Sequence, residues 1–350
     1  MRRLRRQLPQ TGSIRHGIFS WPTLLSYGVA IALIGFLVLR FDLDWGRTWQ
    51  SIRSIDPWLY AVAIVAYYLS FVFRGARWRI LARNAESRRP EIAALPSTRT
   101  TATLIVIGWF INSVTWLRLG DAYRAYAFSE DSGASFSWSL GTLLAERLLD
   151  MATVAALIVV SVALLTLTSG LAVSGYIIAA ALLMTLLIGL VVVWMRLYGA
   201  RLASRLPRRL EEAYHRFHEG TLGSFDHLPT VLSLGLIGWL LEMTRLYLVM
   251  QALDISVGLA LIPVVALGHA ILSTVPTPGG VGAVEPGVTG LLLLELGRPD
   301  AVAVAITDRS ITYLSVVLIG GLLFLARQVI RARRRGCRAG SRVPTGPESV

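Results

Sequence analysis

The segment Pro276-Thr277-Pro278-Gly279-Gly280-Val281-Gly282 interrupts an apolar stretch that begins near residue 257. Two prolines and three glycines within seven residues cannot sit in a continuous helix, because proline removes a backbone donor and glycine loosens the backbone. After the break the chain restarts as a short apolar helix containing Glu285. Irregular backbone at membrane depth persists only where protein or water satisfies it. The sequence therefore predicts a re-entrant helical hairpin over about residues 257–297.

A second interruption lies in the first half of the chain. An apolar helix that starts near residue 101 passes through Asn112, Ser113 and Thr115 into Gly120-Asp121-Ala122-Tyr123-Arg124. Polar residues and a glycine in the middle of an apolar stretch again indicate a broken helix. We interpret about residues 101–137 as the other re-entrant hairpin.

The composition is that of a membrane protein. Hydrophobic residues make up 54% of the 350 residues, charged residues make up 16%, and the mean hydropathy is +0.60, which excludes an ordinary water-soluble domain. The net charge of +13 comes from arginine alone, because the chain has no lysine. Its arginines cluster between apolar runs, a pattern that orients a membrane protein and does not indicate nucleic-acid binding. The single cysteine, Cys337, excludes an internal disulfide.

Arginine placement predicts the topology. Apolar stretches long enough to cross a bilayer lie near 22–39, 57–73, 101–117, 138–168, 171–195, 229–251, 257–275 and 300–326. Arginines are dense before residue 20, in 74–99, in 196–216 and after 327, and the positive-inside rule assigns these four segments to the cytoplasm. Eight single crossings would leave the 196–228 loop outside, and the most economical arrangement that places all four inside has the hairpin at 101–137 entering from the cytoplasm and the hairpin at 257–297 entering from outside.

We therefore predict an all-α polytopic membrane protein with about six full transmembrane helices and two oppositely oriented re-entrant helical hairpins. Residues 1–20 form a basic cytoplasmic tail, residues 21–327 form a single transmembrane domain, and residues 328–350 form a disordered, Arg-rich cytoplasmic tail. Each hairpin precedes a helix with an acid–Arg dipeptide, Glu146-Arg147 or Asp308-Arg309, about 160 residues apart. We hypothesise that this similarity between the two halves reflects an inverted repeat, the arrangement that places a substrate site at the membrane midplane in many transporters.

Several charges lie inside the predicted spanning segments. A charge at the middle of a spanning helix costs about 2.5–3.5 kcal/mol on insertion scales, so it needs a partner or a wet cavity. Internal ion pairs between helices are one explanation, and Glu242 with Arg245, three residues apart, is the best candidate for that role. A substrate site is the alternative, which we favour for the two dipeptides and Asp150. His269 is interpreted as a hydrogen-bonded core residue.

A helix that restarts after Gly282 would direct unpaired backbone N–H groups into the protein, and such an end attracts phosphate or carboxylate. Arg124, Arg147 and Arg309 are predicted to lie nearby and to bind an anionic headgroup. The candidate substrate-binding residues are thus Asp121, Arg124, Glu146, Arg147, Asp150, Pro276, Pro278, Gly279, Gly280, Gly282, Glu285, Asp308 and Arg309.

The chain resembles the lysylphosphatidylglycerol synthase transmembrane region, also called the flippase-like or UPF0104 family. The resemblance lies in four motifs, namely the Pro276–Gly282 string with Glu285, Gly120-Asp121 with Arg124, Glu146-Arg147 with Asp150, and Arg77-Trp78. The match runs in order from about residue 20 to 330, and the Pro-Gly string is its specific part. Thr115-Trp116 departs from the pattern, since the family tends to have a proline there.

The resemblance implies an inner-membrane protein whose relatives move modified phospholipids between leaflets or accompany enzymes that build lipid-linked products. Full-length synthases carry a cytoplasmic aminoacyl-transfer domain after the membrane part. Here a short Arg-rich tail follows Arg327, so we expect no aminoacyl transfer.

Three functions are compatible with these features. The first is a flippase or scramblase-like transporter of a phospholipid or a lipid-linked anionic headgroup. The second is a membrane glycosyltransferase with a polyprenyl-phosphate donor, because Asp42 and Asp44 follow the first helix on the outer side. The third is an accessory subunit of a separate lipid-modifying enzyme. The sequence has no Walker A motif or hydrolase signature, and we expect no cofactor and no metal.

Overall fold

The computed structural model describes residues 45–86, 94–169, 175–275 and 277–340, and all regular structure within them is helical. The predicted first helix at 22–39, the basic tail at 1–20, and Pro276 lie outside the described residues. The helices are α1 (Trp45–Arg53), α2 (Pro57–Glu86), α3 (Thr98–Val114), α4 (Leu119–Ser132), α5 (Phe136–Ser169), α6 (Gly175–Ala203), α7 (Arg208–Leu222), α8 (Leu228–Ala252), α9 (Leu261–Leu272), α10 (Val284–Leu292), α11 (Arg298–Arg309) and α12 (Val316–Gly340).

Four helical segments among the described residues are long and apolar enough to cross a bilayer, namely Pro57–Glu86, Phe136–Leu164, Leu228–Ala252 and Arg298–Ala332. The last of these joins α11 to α12 through a π-helical turn at Ser310–Ser315. Shorter apolar helices cover Thr185–Gly199 and Leu261–Leu272. The protein is thus an all-helical membrane protein, as the sequence predicts. The number of crossings and the membrane insertion of the hairpins stay predictions.

Both predicted interruptions are present as helix breaks. In the first, α3 ends at Val114, a single 3₁₀ turn spans Trp116–Arg118, and α4 packs back against α3. In the second, α9 ends at Leu272 and α10 begins at Val284, with a 3₁₀ turn at Pro278–Gly280 between them. Helices α9 and α10 also pack against each other, so each interrupted region is a helical hairpin.

Two helix boundaries differ from the predictions. Helix α2 continues to Glu86, so Arg74 and Arg77 are buried in the bundle instead of lying in a cytoplasmic loop at 74–99. The helix continues because buried acids accept both guanidinium groups, as described below. Helix α12 extends to Gly340, so residues 328–340 of the predicted disordered tail are helical; seven of these thirteen residues are arginine or alanine, which are strong helix formers.

At one end of the bundle, side-chain contacts connect the helix ends and loops that lie next to the arginine-rich segments. Asn84 near the end of α2 donates its side-chain amide to the carbonyl of Ser224, just after α7. Arg327 on α12 pairs with Asp131 at the end of α4, with Nη2 2.6 Å from Oδ2. The ends of the first hairpin therefore lie on the same side as the arginine-rich part of α12.

The opposite end joins the remaining loops. The backbone N–H of Asp56 donates to the carbonyl of Ala252 at 2.8 Å, and the N–H of Gly258 donates to the carboxylate of Glu295 at 2.6 Å. These contacts bring both ends of the second hairpin to the side where α2 starts. The ends of the two hairpins therefore lie at opposite ends of the bundle, and their entry into a membrane from opposite sides stays a prediction.

Close backbone packing holds the first hairpin and its neighbours together. Gly120 on α4 lies so close to the carbonyl of Gly108 on α3 that a Cβ atom at residue 120 would overlap it. Gly141 on α5 faces the Phe217 carbonyl of α7 in the same way. Glycine permits this approach because small residues let helix backbones come together, as in many membrane bundles.

Candidate functional site

The first hairpin and α5 share a buried group of charges. Arg124 on α4 donates from Nη2 to the Glu146 carboxylate of α5 at 2.7 Å, and its guanidinium lies 4.6 Å from the centre of the Trp78 ring. Arg147, the next residue on α5, donates from Nη2 to Oδ1 of Asp121 at 2.7 Å. These bonds fasten α4 to α5, since each charge buried in low dielectric is matched by an opposite one.

Helix α2 contributes two arginines that sequence reasoning assigned to a loop. Arg77 donates from Nη1 to Oδ1 of Asp150 at 2.5 Å and from Nη2 to the backbone carbonyl of Glu146 at 3.3 Å. Arg74 lies 3.4 Å from the Glu242 carboxylate on α8. The sequence did contain a sign that the helix continues. The residues at positions i, i+3 and i+4, which are Arg74, Arg77 and Trp78, share one helix face.

The second half of the chain carries its own group of charges. Arg245 pairs with Glu242 on the same helix at 3.3 Å, which confirms the pairing that their spacing predicts. The guanidinium of Arg245 also contacts the Asp308 carboxylate on α11. His269 on α9 places Nδ1 3.0 Å from the other oxygen of Asp308.

The Pro-Gly segment forms a tight loop that supplies its own anion. Gly279, Gly280 and Gly282 all have positive φ angles, of 61°, 70° and 84°, which side chains with a Cβ rarely adopt. The backbone N–H of Gly282 donates to Glu285 at 2.7 Å, and the same carboxylate accepts from Nε of Arg309 at 2.8 Å. Glu285 therefore binds the backbone N–H of Gly282, just before α10, and the binding of an external phosphate at the N-terminus of α10 stays a prediction.

The two hairpin breaks meet inside the bundle. Arg118, in the left-handed region at φ 52°, donates from Nη1 to the carbonyl of Ser273 at 3.0 Å. The Tyr313 hydroxyl, in the π-helical turn, donates to the carbonyl of Ser113 at 3.4 Å. Non-glycine residues in the left-handed region are strained by about 1–3 kcal/mol, and such strain persists where surrounding contacts fix it.

A cavity of about 460 Å³ lies beside this junction. Its charged lining residues come from both halves of the chain and are Arg74, Arg118, Asp121, Arg147, Asp150, Glu242, Arg245 and His269. Apolar residues from α5 and α9 close the remaining side, among them Met151, Val154 and Ala266. Trp239 is a buried lining residue, and no described residue accepts a hydrogen bond from its indole N–H.

The structure brings some of the predicted site residues to this cavity and leaves others outside its lining. Asp121, Arg147 and Asp150 line it, and Arg124, Glu146 and Asp308 support it through ion pairs. Arg309 and Glu285 pair with each other at the Pro-Gly loop, so Arg124, Arg147 and Arg309 do not converge on one anion as predicted. Pro278, Gly279, Gly280 and Gly282 shape that loop.

The two halves repeat the same order of elements and charges. Each has a long helix with charges three residues apart, then a broken hairpin, then a helix with an acid–Arg dipeptide. In both halves the dipeptide arginine binds an acid on the second helix of its hairpin, Arg147 to Asp121 and Arg309 to Glu285. These matched contacts support the internal repeat; the opposite membrane orientation of its halves stays a prediction.

The fold and this site define a class: helical membrane proteins with a charged cavity between two broken hairpins. Within that class, the chain belongs to the family described as the lysylphosphatidylglycerol synthase TM region, whose sequence profile matches residues 24–320. This assignment confirms the family that the Pro-Gly string and the acid–Arg motifs indicate.

The curated relatives include two archaeal proteins named UPF0104 membrane protein. The one from Methanocaldococcus jannaschii is 28% identical over 224 residues, which cover 61% of this chain and 93% of the relative. The one from Methanothermobacter thermautotrophicus is 26% identical over 319 residues, covering 85% of this chain and 91% of the relative. A protein of Haloferax volcanii named glycosyltransferase AglD is 23% identical over 342 residues, covering 84% of this chain and 53% of that protein.

Proposed function

We propose that this protein is a lipid transporter, flippase or scramblase-like, that moves a phospholipid or a lipid-linked anionic headgroup between leaflets. We place it in the cytoplasmic (inner) membrane with both termini in the cytoplasm, as the arginine distribution favours. The headgroup occupies the charged cavity during passage, while the hydrocarbon chains stay in lipid. The observation that carries the proposal is the cavity itself, which joins charges from both halves of the repeat beside the meeting point of the hairpins.

The size and lining of the cavity fit a lipid headgroup. A volume of about 460 Å³ is within the usual range for small-molecule sites, and a phosphodiester with its polar substituent fits inside it. Charged residues on one side of the cavity and apolar residues on the other match an amphiphile. Midplane sites between repeat halves, built on discontinuous helices, are the general architecture of many secondary transporters.

The balance of charge favours an anionic headgroup. The ion pairs around the cavity join six arginines, Arg74, Arg77, Arg118, Arg124, Arg147 and Arg245, to five acids, Asp121, Glu146, Asp150, Glu242 and Asp308. Arg118 has the loosest pairing, because its Nε lies 4.0 Å from the Asp121 carboxylate. A phosphate group would complete the coordination of this surplus guanidinium, since arginine binds phosphate with planar, paired donors.

Leaflet exchange in vesicles tests the proposal. Purified protein is reconstituted in liposomes with a fluorescent phosphatidylglycerol, and a membrane-impermeant quencher reports the exposed fraction over time. We expect Arg147→Gln to slow exchange by about tenfold or more, because a charge-assisted contact contributes about 1.5–3 kcal/mol. Arg208→Gln is the matched control, since this arginine is 90% exposed on α7. Wild-type protein that exchanges no phospholipid or polyprenyl phosphate would refute the proposal.

A glycosyltransferase is the second candidate function. The relative named glycosyltransferase AglD supports it, as do Asp42 and Asp44, which lie outside the described residues. Asp42→Asn with Asp44→Asn would abolish sugar transfer from a polyprenyl-phosphate donor under this hypothesis and leave leaflet exchange intact under the first. An accessory role beside a separate lipid-modifying enzyme predicts instead that activity requires that enzyme in the same vesicle.

A further inference from the structure

The cavity has a partly accessible mouth and a buried floor. At the floor, the side chains of Glu242 and Arg245 are 9% and 3% exposed. At the mouth, Arg118, Asp121 and Arg147 are 33%, 23% and 24% exposed. The accessible charges are therefore gathered where the hairpin break of Arg118 meets α5.

Apolar residues complete the same mouth. Met151 on α5 and Ile271 near the end of α9 both line the cavity, and they are 45% and 47% exposed. Met151 is four residues after Arg147 and so lies on the same face of α5. Ser273, two residues after Ile271, accepts the hydrogen bond from Arg118. Charged and apolar parts of the opening are thus side by side between α5 and α9.

The height of this opening identifies what lies in front of it. Met151 is near the middle of the candidate span Phe136–Leu164, roughly 20 Å from either end at a rise of about 1.5 Å per residue. A bilayer whose hydrocarbon core, about 30 Å thick, is centred on this span places the opening among lipid chains. The guanidinium groups of Arg118 and Arg147 already bind Ser273 and Asp121, and a phosphate drawn in from the lipid supplies acceptors for their remaining donors.

We propose that the gap between α5 and α9 at Met151 and Ile271 is a lateral portal, through which the hydrocarbon chain of an anionic lipid leaves the cavity while its phosphate binds Arg118 and Arg147. This inference rests on the proposed function, because it assigns the chain path of the same lipid. It also distinguishes two sources of phosphate. A water-soluble phosphate has no chain to occupy the gap, whereas a lipid fills both parts of the mouth.

Photocrosslinking identifies the lipid that lies in the portal and does not depend on transport. The photoreactive residue p-benzoylphenylalanine is introduced at Met151 in full-length protein, reconstituted in phosphatidylcholine vesicles with phosphatidylglycerol as the minor lipid. We expect the lipid adducts, identified by mass spectrometry, to be enriched in phosphatidylglycerol by about tenfold over the bulk ratio. The same residue at Leu240, which is 50% exposed on α8, should report the bulk ratio. Arg147→Gln should abolish the enrichment, and added glycerol 3-phosphate should not.

Filling the gap tests its use in transport. Met151→Trp and Ile271→Trp each place an indole in the opening, and we expect either variant to slow phosphatidylglycerol exchange by about tenfold or more. Leu240→Trp adds the same group on a lipid-facing surface of α8 and should leave the rate unchanged. Unaltered thermal unfolding of the purified variants excludes misfolding as the cause.

The two proposals fail in different ways. Enrichment at Met151 without any exchange by the wild-type protein would overturn the transport function and keep the portal. Adducts at Met151 in the bulk ratio, or normal exchange by both tryptophan variants, would overturn the portal and keep the transporter. Loss of the phosphatidylglycerol enrichment when glycerol 3-phosphate is added before photolysis would also overturn the portal, since the site would then be one for a soluble anion.

Discussion

Neutralising Asp150 should destabilise the bundle far more than neutralising Asp150 together with its partner. In the Asp150→Val variant, Arg77 keeps its charge but loses the 2.5 Å contact to the carboxylate and retains only the weaker bond to the Glu146 carbonyl. The guanidinium is 2% exposed, so water cannot replace the missing acid. Breaking one member of such a buried pair costs about 3–5 kcal/mol of unfolding free energy.

The double variant Arg77→Met with Asp150→Val removes both charges and keeps the volume of the side chains nearly constant. We expect its stability to lie within about 1 kcal/mol of the wild type, because a buried ion pair replaced as a unit is close to neutral. The cost of Arg77→Met alone adds to this difference, so the coupling between the two positions is then at least about 2–4 kcal/mol.

Unfolding in mixed detergent micelles, followed by circular dichroism and tryptophan fluorescence, measures this cycle. The exposed pair Arg208 and Glu212 on α7, 3.4 Å apart, is the control and should show a coupling of about 0.3–0.5 kcal/mol. Additive losses in the Arg77 and Asp150 double variant would show that the two charges act independently, and the reasoning would then be wrong.

Three further predictions follow from the packing and the loops. Gly120→Ala should lower the melting temperature by several degrees, because the new methyl group overlaps the carbonyl of α3, whereas Gly290→Ala, where a Cβ meets open space, should be neutral or raise it slightly. Arg309→Gln should destabilise the Pro-Gly loop by about 1–3 kcal/mol in the same unfolding assay, since it loses bonds to the Glu285 carboxylate and the Gly279 carbonyl. Cysteines placed at Gly133 and Arg208 should react with an impermeant thiol reagent from the same side of the membrane; labelling from opposite sides would contradict the topology.

Much of the architecture could be predicted from local patterns. The Pro-Gly string and the polar break before Asp121 predict two interrupted helices, because proline, glycine and unpaired polar groups are incompatible with a continuous apolar helix. The spacing of Glu242 and Arg245 likewise predicts their pairing along α8. Such inferences succeed because each depends on neighbours within a few residues.

Other features depend on partners far away in the sequence. The stretch 57–73 already satisfies the length of a membrane span, so nothing local shows that α2 continues past Arg74 and Arg77. Their acids lie 73 and 168 residues away, on α5 and α8. A lone tryptophan in an apolar helix, such as Trp239, gives no sign that it will line a cavity.

Occupation of the loop by Glu285 could have been anticipated. An acid three residues after the glycine that precedes a helix is the spacing at which a side chain returns to the free backbone N–H groups. The sequence interpretation gave greater weight to the general affinity of helix ends for phosphate. The intramolecular carboxylate has the advantage of being permanently present at that position, so the loop is already satisfied in this structure.

The direct contact of Gly120 with Gly108, and of Gly141 with Phe217, has a consequence for how proteins of this kind diverge. Side chains that face the lipid meet only hydrocarbon, so one apolar residue can replace another there with little effect on the bundle. Where two backbones touch, a single added methyl group would force the helices apart and misplace every arginine that they carry. Most of the surface can therefore drift freely over time, while a few positions without side chains preserve the geometry of the interior.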